Sequence, residues 1–328
     1  MPSDRKPTLD RRALLLGAAA AGTAAAVGTA APAGAALPGF PTFTYRKEAL
    51  DKSSLSYNPT NELIFPSIRR VAGRLQNPLG AWYMYYAPHD DPGGICLAYA
   101  DSLEGPWHEY SGNPVISRTW SPHYSVPHVS SPHAYWNAGD GKLYLYFHGN
   151  NRTTRVATST DGRSFSYGGT VLHTDMLPSN LTEASYARVF PHPVRSDLHI
   201  MLFMGDQDGT RKIFIGWSHQ LASGWQFKPQ PLISPGPGEG GQLSGAHYWS
   251  RNGGGHVVYH SRSGDIHVAD VGTGFDREEH LGVLFDSAAE APDNGRAAAP
   301  SFAEENGRLY MFYEAGQRSA TNIAIART

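Results

Sequence analysis

Residues 131–149 read SPHAYWNAGDGKLYLYFHG. A small residue and a proline lead into a short run of apolar and aromatic side chains. The turn NAGDG follows, and KLYLYF then alternates. Alternation of period two on both sides of a Gly-bearing turn predicts a β-hairpin. The phrase recurs as FPSIRRV at 65–71 leading to GAWYMYY at 80–86, and as ARVFPHPVRSDLHIMLF at 187–203. It returns as GAHYWSRNGGGHVVYH at 245–260 and APSFAEENGRLYMFY at 299–313. Anchored on Pro66, Pro132, Ala187, Gly245 and Pro300, the copies lie 66, 55, 58 and 55 residues apart. A period of this kind marks one supersecondary unit repeated. The unit is all β, and five copies predict a five-bladed β-propeller.

Each copy continues into a third strand of small and apolar residues, such as ICLAY at 95–99 or IFIGW at 213–217. A fourth strand follows, such as WHEY at 107–110 or WQF at 225–227. The fifth copy has three strands before Thr328. FTYRKEAL at 43–50 has the pattern of the missing one, so the N-terminal strand is expected to complete the last blade and close the ring. Closure removes the long unpaired edges of an open array. Residues 37–328 are therefore read as a single propeller domain.

The bulk composition agrees. Among 328 residues, 36 Gly and 24 Pro suit short strands joined by many turns. A net charge of −2 gives no reason to expect nucleic acid as a partner. A single cysteine excludes an internal disulfide, and Cys96 lies in an apolar run as a buried, inert thiol. Arg11 and Arg12 precede a run rich in Ala, Gly and Leu at 13–30, and AGA at 33–35 fits a cleavage site. Residues 1–36 thus read as a twin-arginine export signal, and the protein as secreted. No later segment is apolar for long enough to span a bilayer. A monomer is expected.

The two ends of the ring differ in chemistry. Turns at one end are bland: SLEGP at 102–106, STDG at 159–162, ASG at 222–224. Loops at the other hold HDD at 89–91, HGNNR at 148–152, DQD at 206–208, HSR at 260–262 and EAGQR at 314–318. Function is expected at this polar end, on loops over a rigid scaffold. In the innermost strands the residues flanking each anchor share a face: Phe65 and Ser67, Ser131 and His133, Tyr186 and Arg188, Ser244 and Ala246, Ala299 and Ser301. Four residues before the anchors come Glu62, His128, Glu183, Gly241 and Arg296. Glu62 and Glu183 hold matching places in blades 1 and 3. Paired carboxylates across a pocket are what glycoside hydrolysis needs, one to protonate the leaving oxygen and one to activate water or attack the sugar. Glu62, Glu183 and His133 are the candidate catalytic residues, with Asp90, Asp91, Asp206 and Asp208 as rival acids. His128, Tyr186, Arg188, His247, Asp206 and Arg296 are candidate substrate contacts, since arginine grips a sugar carboxylate bidentately.

SPHAYWNAGDGKLYLYFHG, GPWHEYSGNPVI at 105–116 and ATSTDGRSFSYGGTVL at 157–172 resemble the blades of family 43 glycoside hydrolases and their relatives. Those are five-bladed enzymes that trim arabinans, xylans and galactans. The resemblance covers most of residues 37–328 and implies a carbohydrate substrate in the central funnel. It does not carry over the family's acids. The family's base Asp falls on Phe65 in FPSI, its helper Asp on Tyr186 and its acid Glu on Ser244. The expected activity is a secreted glycoside hydrolase using other paired carboxylates. Two alternatives stand beside it. One is a polysaccharide lyase with Tyr186 or His133 as base and Arg188 neutralising a uronate. The other is a sugar-binding propeller without catalysis. No cofactor is expected and no tight metal-ligand spacing appears. A structural calcium on the axis, as related propellers sometimes hold, stays open.

Overall fold

The computed structural model describes residues 36–89 and 91–328. The expected export signal and the rival acid Asp90 fall outside the described residues, save for Ala36. Five four-stranded antiparallel sheets form the five blades. Their innermost strands are Leu63–Arg70, Val129–Asn137, Ser185–Pro191, Leu243–Arg251 and Ala297–Glu305. Each packs against two others in cyclic order, and the last returns to the first. The fifth blade takes its outer strand from the other end of the domain. Thr44–Leu50 pairs antiparallel with Asn322–Arg327, so the ring closes as the sequence predicts. Among the described residues, no helix is long and apolar enough to cross a membrane.

Alternation along the strands sorts side chains into the seams between blades. In Trp82–Pro88, Tyr83 and Tyr85 pack against Leu143 and Leu145 of blade 2. Trp82, Met84 and Tyr86 of the same strand pack against Phe312 and Ile325 of blade 5. Three further apolar clusters fill the remaining seams. Both faces of each sheet are thus buried. Cys96 sits at zero exposure in the seam between blades 5 and 1, where burial pushes its thiol pKa far up.

Every innermost strand carries the same defect. Its pairing register breaks between Ile64 and Ser67, Ser130 and His133, Ser185 and Arg188, Ser244 and His247, and Ala298 and Ser301. At each break one residue takes positive φ: Phe65 at 54°, Ser131 at 53°, Tyr186 at 55°, Gly245 at 62° and Ala299 at 47°. An extra residue in one strand bends it and re-aims its side chains. The five bulges also correct the sequence alignment. The bulged residue precedes Pro66, Pro132, Ala187 and Pro300, so its counterpart in blade 4 precedes Ala246, and Gly245 is not the anchor. The residues sharing the bulge face there are Gly245 and His247, where the repeat pattern predicts Ser244 and Ala246. The residue matching Glu62 and Glu183 is Gln242, where the pattern predicts Gly241. Three small residues in a row, SGA at 244–246, offered no proline to fix the register.

Candidate functional site

The bulges build a floor across the funnel. Phe65 and Tyr186 stack with ring centroids 4.5 Å apart, and His148 meets Tyr186 edge-on at 5.0 Å. Backbone amides freed by the bulges are caught by the neighbouring blade. The Phe65 amide donates to Glu314 Oε1 at 3.0 Å, and the Ala299 amide to His260 Nδ1 at 3.1 Å. Phe65, Tyr186 and Gly245 occupy the matched bulge positions, so no carboxylate stands at any of the three. Burial, partly offset by Arg211, pushes the Tyr186 phenol up to about 12.

Above this floor, three carboxylates are each held by a base. Glu62 is 1% exposed. Its Oε1 accepts the Ser319 amide at 2.7 Å, and its Oε2 lies 2.7 Å from His89 Nδ1. Burial works to raise its pKa. The hydrogen bond of His89, the Ser319 amide and Arg318 outweigh burial and hold the carboxyl below 4.5. Arg318 in turn donates to His89 Nε2 at 2.7 Å, so His89 bridges a carboxylate and a guanidinium. Glu183 receives a fork from Arg211, with Nε to Oε2 at 3.0 Å and Nη2 to Oε1 at 2.9 Å. Glu314 Oε2 accepts from Arg296 Nη2 at 2.6 Å.

Beside these pairs opens a cavity of about 540 Å³. Its walls come from blades 3, 4 and 5 at the polar end, and they include Arg211, Arg262, Arg296 and Arg318 against one lining carboxylate, Asp206. Asp206 Oδ1 accepts the Gly209 amide at 2.8 Å. Ser244 also lines the cavity, and its buried Oγ has no hydrogen-bond partner among the described residues. His260 on the wall has its pKa driven well below 6.5 by burial and then by Arg296 and Arg318, so it is neutral at pH 7. A pocket of this size with convergent donors suits a polar ligand of one or two sugar rings.

The predicted residues fall on two levels. Glu62, Glu183, Asp206 and Arg296 lie on the mouth side of the floor, and Asp206 and Arg296 line the cavity. His128, from the same register position in blade 2, meets His148 edge-on at 5.7 Å. His133, Arg188 and His247 stand two residues beyond the bulges, roughly 7 Å deeper along strands that rise about 3.3 Å per residue. There His133 Nε2 bonds the Val189 carbonyl at 2.8 Å, one of several ties between neighbouring innermost strands. Ser67 Oγ accepts from the Ala134 amide, and Ser301 Oγ from that of Ile68, at the equivalent places. The sequence reading missed His89, Arg211, Gln242, His260, Arg262 and Arg318 as individual contacts. Four of them sit in polar loops it had marked, and Gln242 follows once blade 4 is set in register. Trp120 and Tyr124 lie in a small hairpin at the mouth end and pack around Tyr167.

No protein-family profile and no curated protein matches this sequence. Solved structures match its architecture. A glycosyl hydrolase from Bacteroides ovatus is 12% identical, with a TM-score of 0.66 over 88% of this chain and 93% of that one. An α-L-arabinofuranosidase from Podospora anserina, solved with cellotriose, is 10% identical, with a TM-score of 0.64 over 89% and 98%. A thermostable family-43 glycoside hydrolase is 12% identical, with a TM-score of 0.63 over 81% and 88%. At such identities the likeness establishes the five-bladed fold that the sequence resemblance implied.

Proposed function

We propose that this chain is an exported glycoside hydrolase that cleaves an acidic oligosaccharide at the arginine-walled mouth. One observation carries this reading above the others. Glu62 and Glu183 occupy matched positions just before the innermost strands of blades 1 and 3, both above the Phe65–Tyr186 floor and beside a cavity with four arginines. The architectural neighbours are glycosidases, which makes a carbohydrate the first substrate to test. Glu183, oriented by the Arg211 fork, is assigned to the water or the anomeric carbon. Glu62 has its oxygens occupied, so it acts through His89. The pair is assigned the proton that passes to the leaving oxygen. A uronate bound to Arg318 would draw that guanidinium from His89 Nε2 and free the imidazole to carry this proton. His133 is given a scaffold role between blades 2 and 3.

The test is a screen of acidic and neutral oligosaccharides and aryl glycosides, followed by Glu183→Gln. The expected result is cleavage of a uronate-bearing substrate that the variant loses while keeping its melting temperature. Binding without any turnover would instead leave a sugar-binding propeller. Export is tested by fusing residues 1–36 to a reporter in a host lacking the twin-arginine translocase, where secretion should stop.

A lyase reading is favoured by one feature. His89 stands between a carboxylate and Arg318, which is an arrangement for removing a proton beside a neutralised uronate. Tyr186 is the less available base, since its phenol, pushed up to about 12, stays protonated at neutral pH and its ring is stacked on Phe65. Ultraviolet absorbance of the product, from an unsaturated uronate, separates lysis from hydrolysis.

A further inference from the structure

Beneath the Phe65–Tyr186 floor, the innermost strands gather two arginines and two histidines. Arg188 is 2% exposed. Its Nη1 donates to the carbonyls of Pro132 at 3.1 Å and Ala187 at 3.3 Å, and its guanidinium lies 6.0 Å from the Phe65 ring centroid. Its Nη2 is buried with no hydrogen-bond partner among the described residues. Arg69, half-buried, donates to the Ala134 and Ile68 carbonyls. The two guanidiniums thus grip the same strand of blade 2 on either side of His133. His247 completes the group, edge-on to Phe302 at 5.0 Å. Among the described residues, no ion pair reaches either arginine. Glu314 is the carboxylate that acts on Arg188, and its oxygens are already held by Arg296 and the Phe65 amide.

Burial is the leading cause that lowers both arginines to about 10, helped by the charge of Arg74 at Arg69 and by that of Arg69 at Arg188, and both stay charged at neutral pH. Burial, followed by the same two charges, takes His247 to about 3 and His133 well below 6.5. Histidine responds to a crowded positive field by staying neutral, but arginine does not have that escape. A buried guanidinium with an unused N–H donor, beside a second, half-buried one, calls for a negative counter-charge. The same field repels a divalent cation, so a calcium ion is disfavoured here.

We infer that the propeller axis beneath Phe65 and Tyr186 binds a small monovalent anion of chloride size, held by Arg188 and Arg69. The anion ties blades 1, 2 and 3 together at the point where their innermost strands converge. The site is separate from the mouth, and its occupancy does not depend on what the mouth cleaves.

The probe is bromide. Crystals of the protein soaked in sodium bromide should give an anomalous peak on the axis within hydrogen-bonding reach of Arg188 Nη2. In solution, melting temperature should rise by a few degrees per tenfold increase in bromide, relative to sodium gluconate at equal ionic strength. Gluconate serves as the control because it is a monovalent anion far larger than bromide. Arg188→Met should remove that difference and melt at the same temperature in both salts. The absence of an axial bromide peak together with equal melting of the wild-type protein in both salts would overturn the inference. So would an axial calcium whose addition raises the melting temperature at fixed bromide. The bromide soak and the melting comparison both use the wild-type protein, so together they decide the matter even where the variant does not fold.

Discussion

Glu62 and Glu183 share one place in the repeat, ahead of the innermost strands of their blades, and their surroundings give them different chemistry. Glu183 keeps 17% of its side chain exposed and is aimed by a guanidinium fork. Glu183→Gln removes the charge and leaves the shape. We expect kcat to fall by about 10²–10⁴-fold, the usual worth of a positioned acid or base, with little change in melting temperature. Near-normal turnover in that variant removes Glu183 from the mechanism. Glu62 is buried and accepts from a backbone amide and His89. Glu62→Gln turns one acceptor oxygen into a donor, so it should lower both stability and rate. His89→Gln, at a partly exposed side chain, should lower rate and flatten the pH–rate profile while the melting temperature stays near wild type. A profile unchanged by that substitution would exclude the His89 proton route.

At the scale of the strand, the five bulges set what faces the funnel. Gly245 is the one glycine among the bulge residues, and its φ is 62°. A Cβ built there meets His260 Nδ1 at 2.8 Å and the Ala299 Cα at 3.0 Å. The histidine can shift, but the backbone of blade 5 is fixed by its own pairing. Left-handed backbone adds about 1–2 kcal/mol for a residue with a side chain. Gly245→Val should therefore cost more than either effect alone and lower the melting temperature by several degrees, with the loss read by calorimetry. Phe65 and Tyr186 adopt the same backbone angle with their rings stacked on each other, and that packing offsets the strain. A valine variant that melts like the wild type would mean blades 4 and 5 are not in close contact at the bulge.

At the scale of the ring, acid should loosen the protein from the centre outward. His133, His148, His247 and His260 all have folded pKa values below 6.5, burial being the leading cause in each. The folded state keeps them neutral, while the unfolded chain takes up protons below pH 6.5. Stability is full above that value and falls as pH drops through it, by up to about 1.4 kcal/mol per pH unit for each histidine that stays neutral. Glu62 adds to the loss below pH 4.5, since its folded pKa lies under the unfolded one. Melting temperatures at pH 7.5, 6.0 and 5.0 should decline with increasing steepness, and a flat series would contradict the burial of these rings. Closure makes a second demand. Removing residues 37–50 takes away the outer strand of blade 5 and the rings of Phe40 and Phe43 that pack on Trp249 and Phe302. The exposed edge of Asn322–Arg327 should then make the protein aggregate on heating. A truncated chain that stays monomeric with an unchanged melting temperature would show that closure adds little.

The five-fold repeat, the strand order within a blade and the role of residues 43–50 were legible along the chain. They follow from side-chain alternation and turn residues, which are local properties of sequence. The polar end was legible too, because its loops differ in composition from the turns at the other end. The register of blade 4 was not, since Ser244, Gly245 and Ala246 look alike until pairing with His260 and Val258 selects one of them. Nor could the sequence divide His133, Arg188 and His247 from Glu62, Glu183 and Arg296. A bulge sends neighbours in one strand to different levels of the funnel, and only packing between blades fixes where. The pairing of His89 with Glu62 and Arg318 belongs to that same class. It joins residues from opposite ends of the domain, and no spacing along the chain records a contact made by closing a ring.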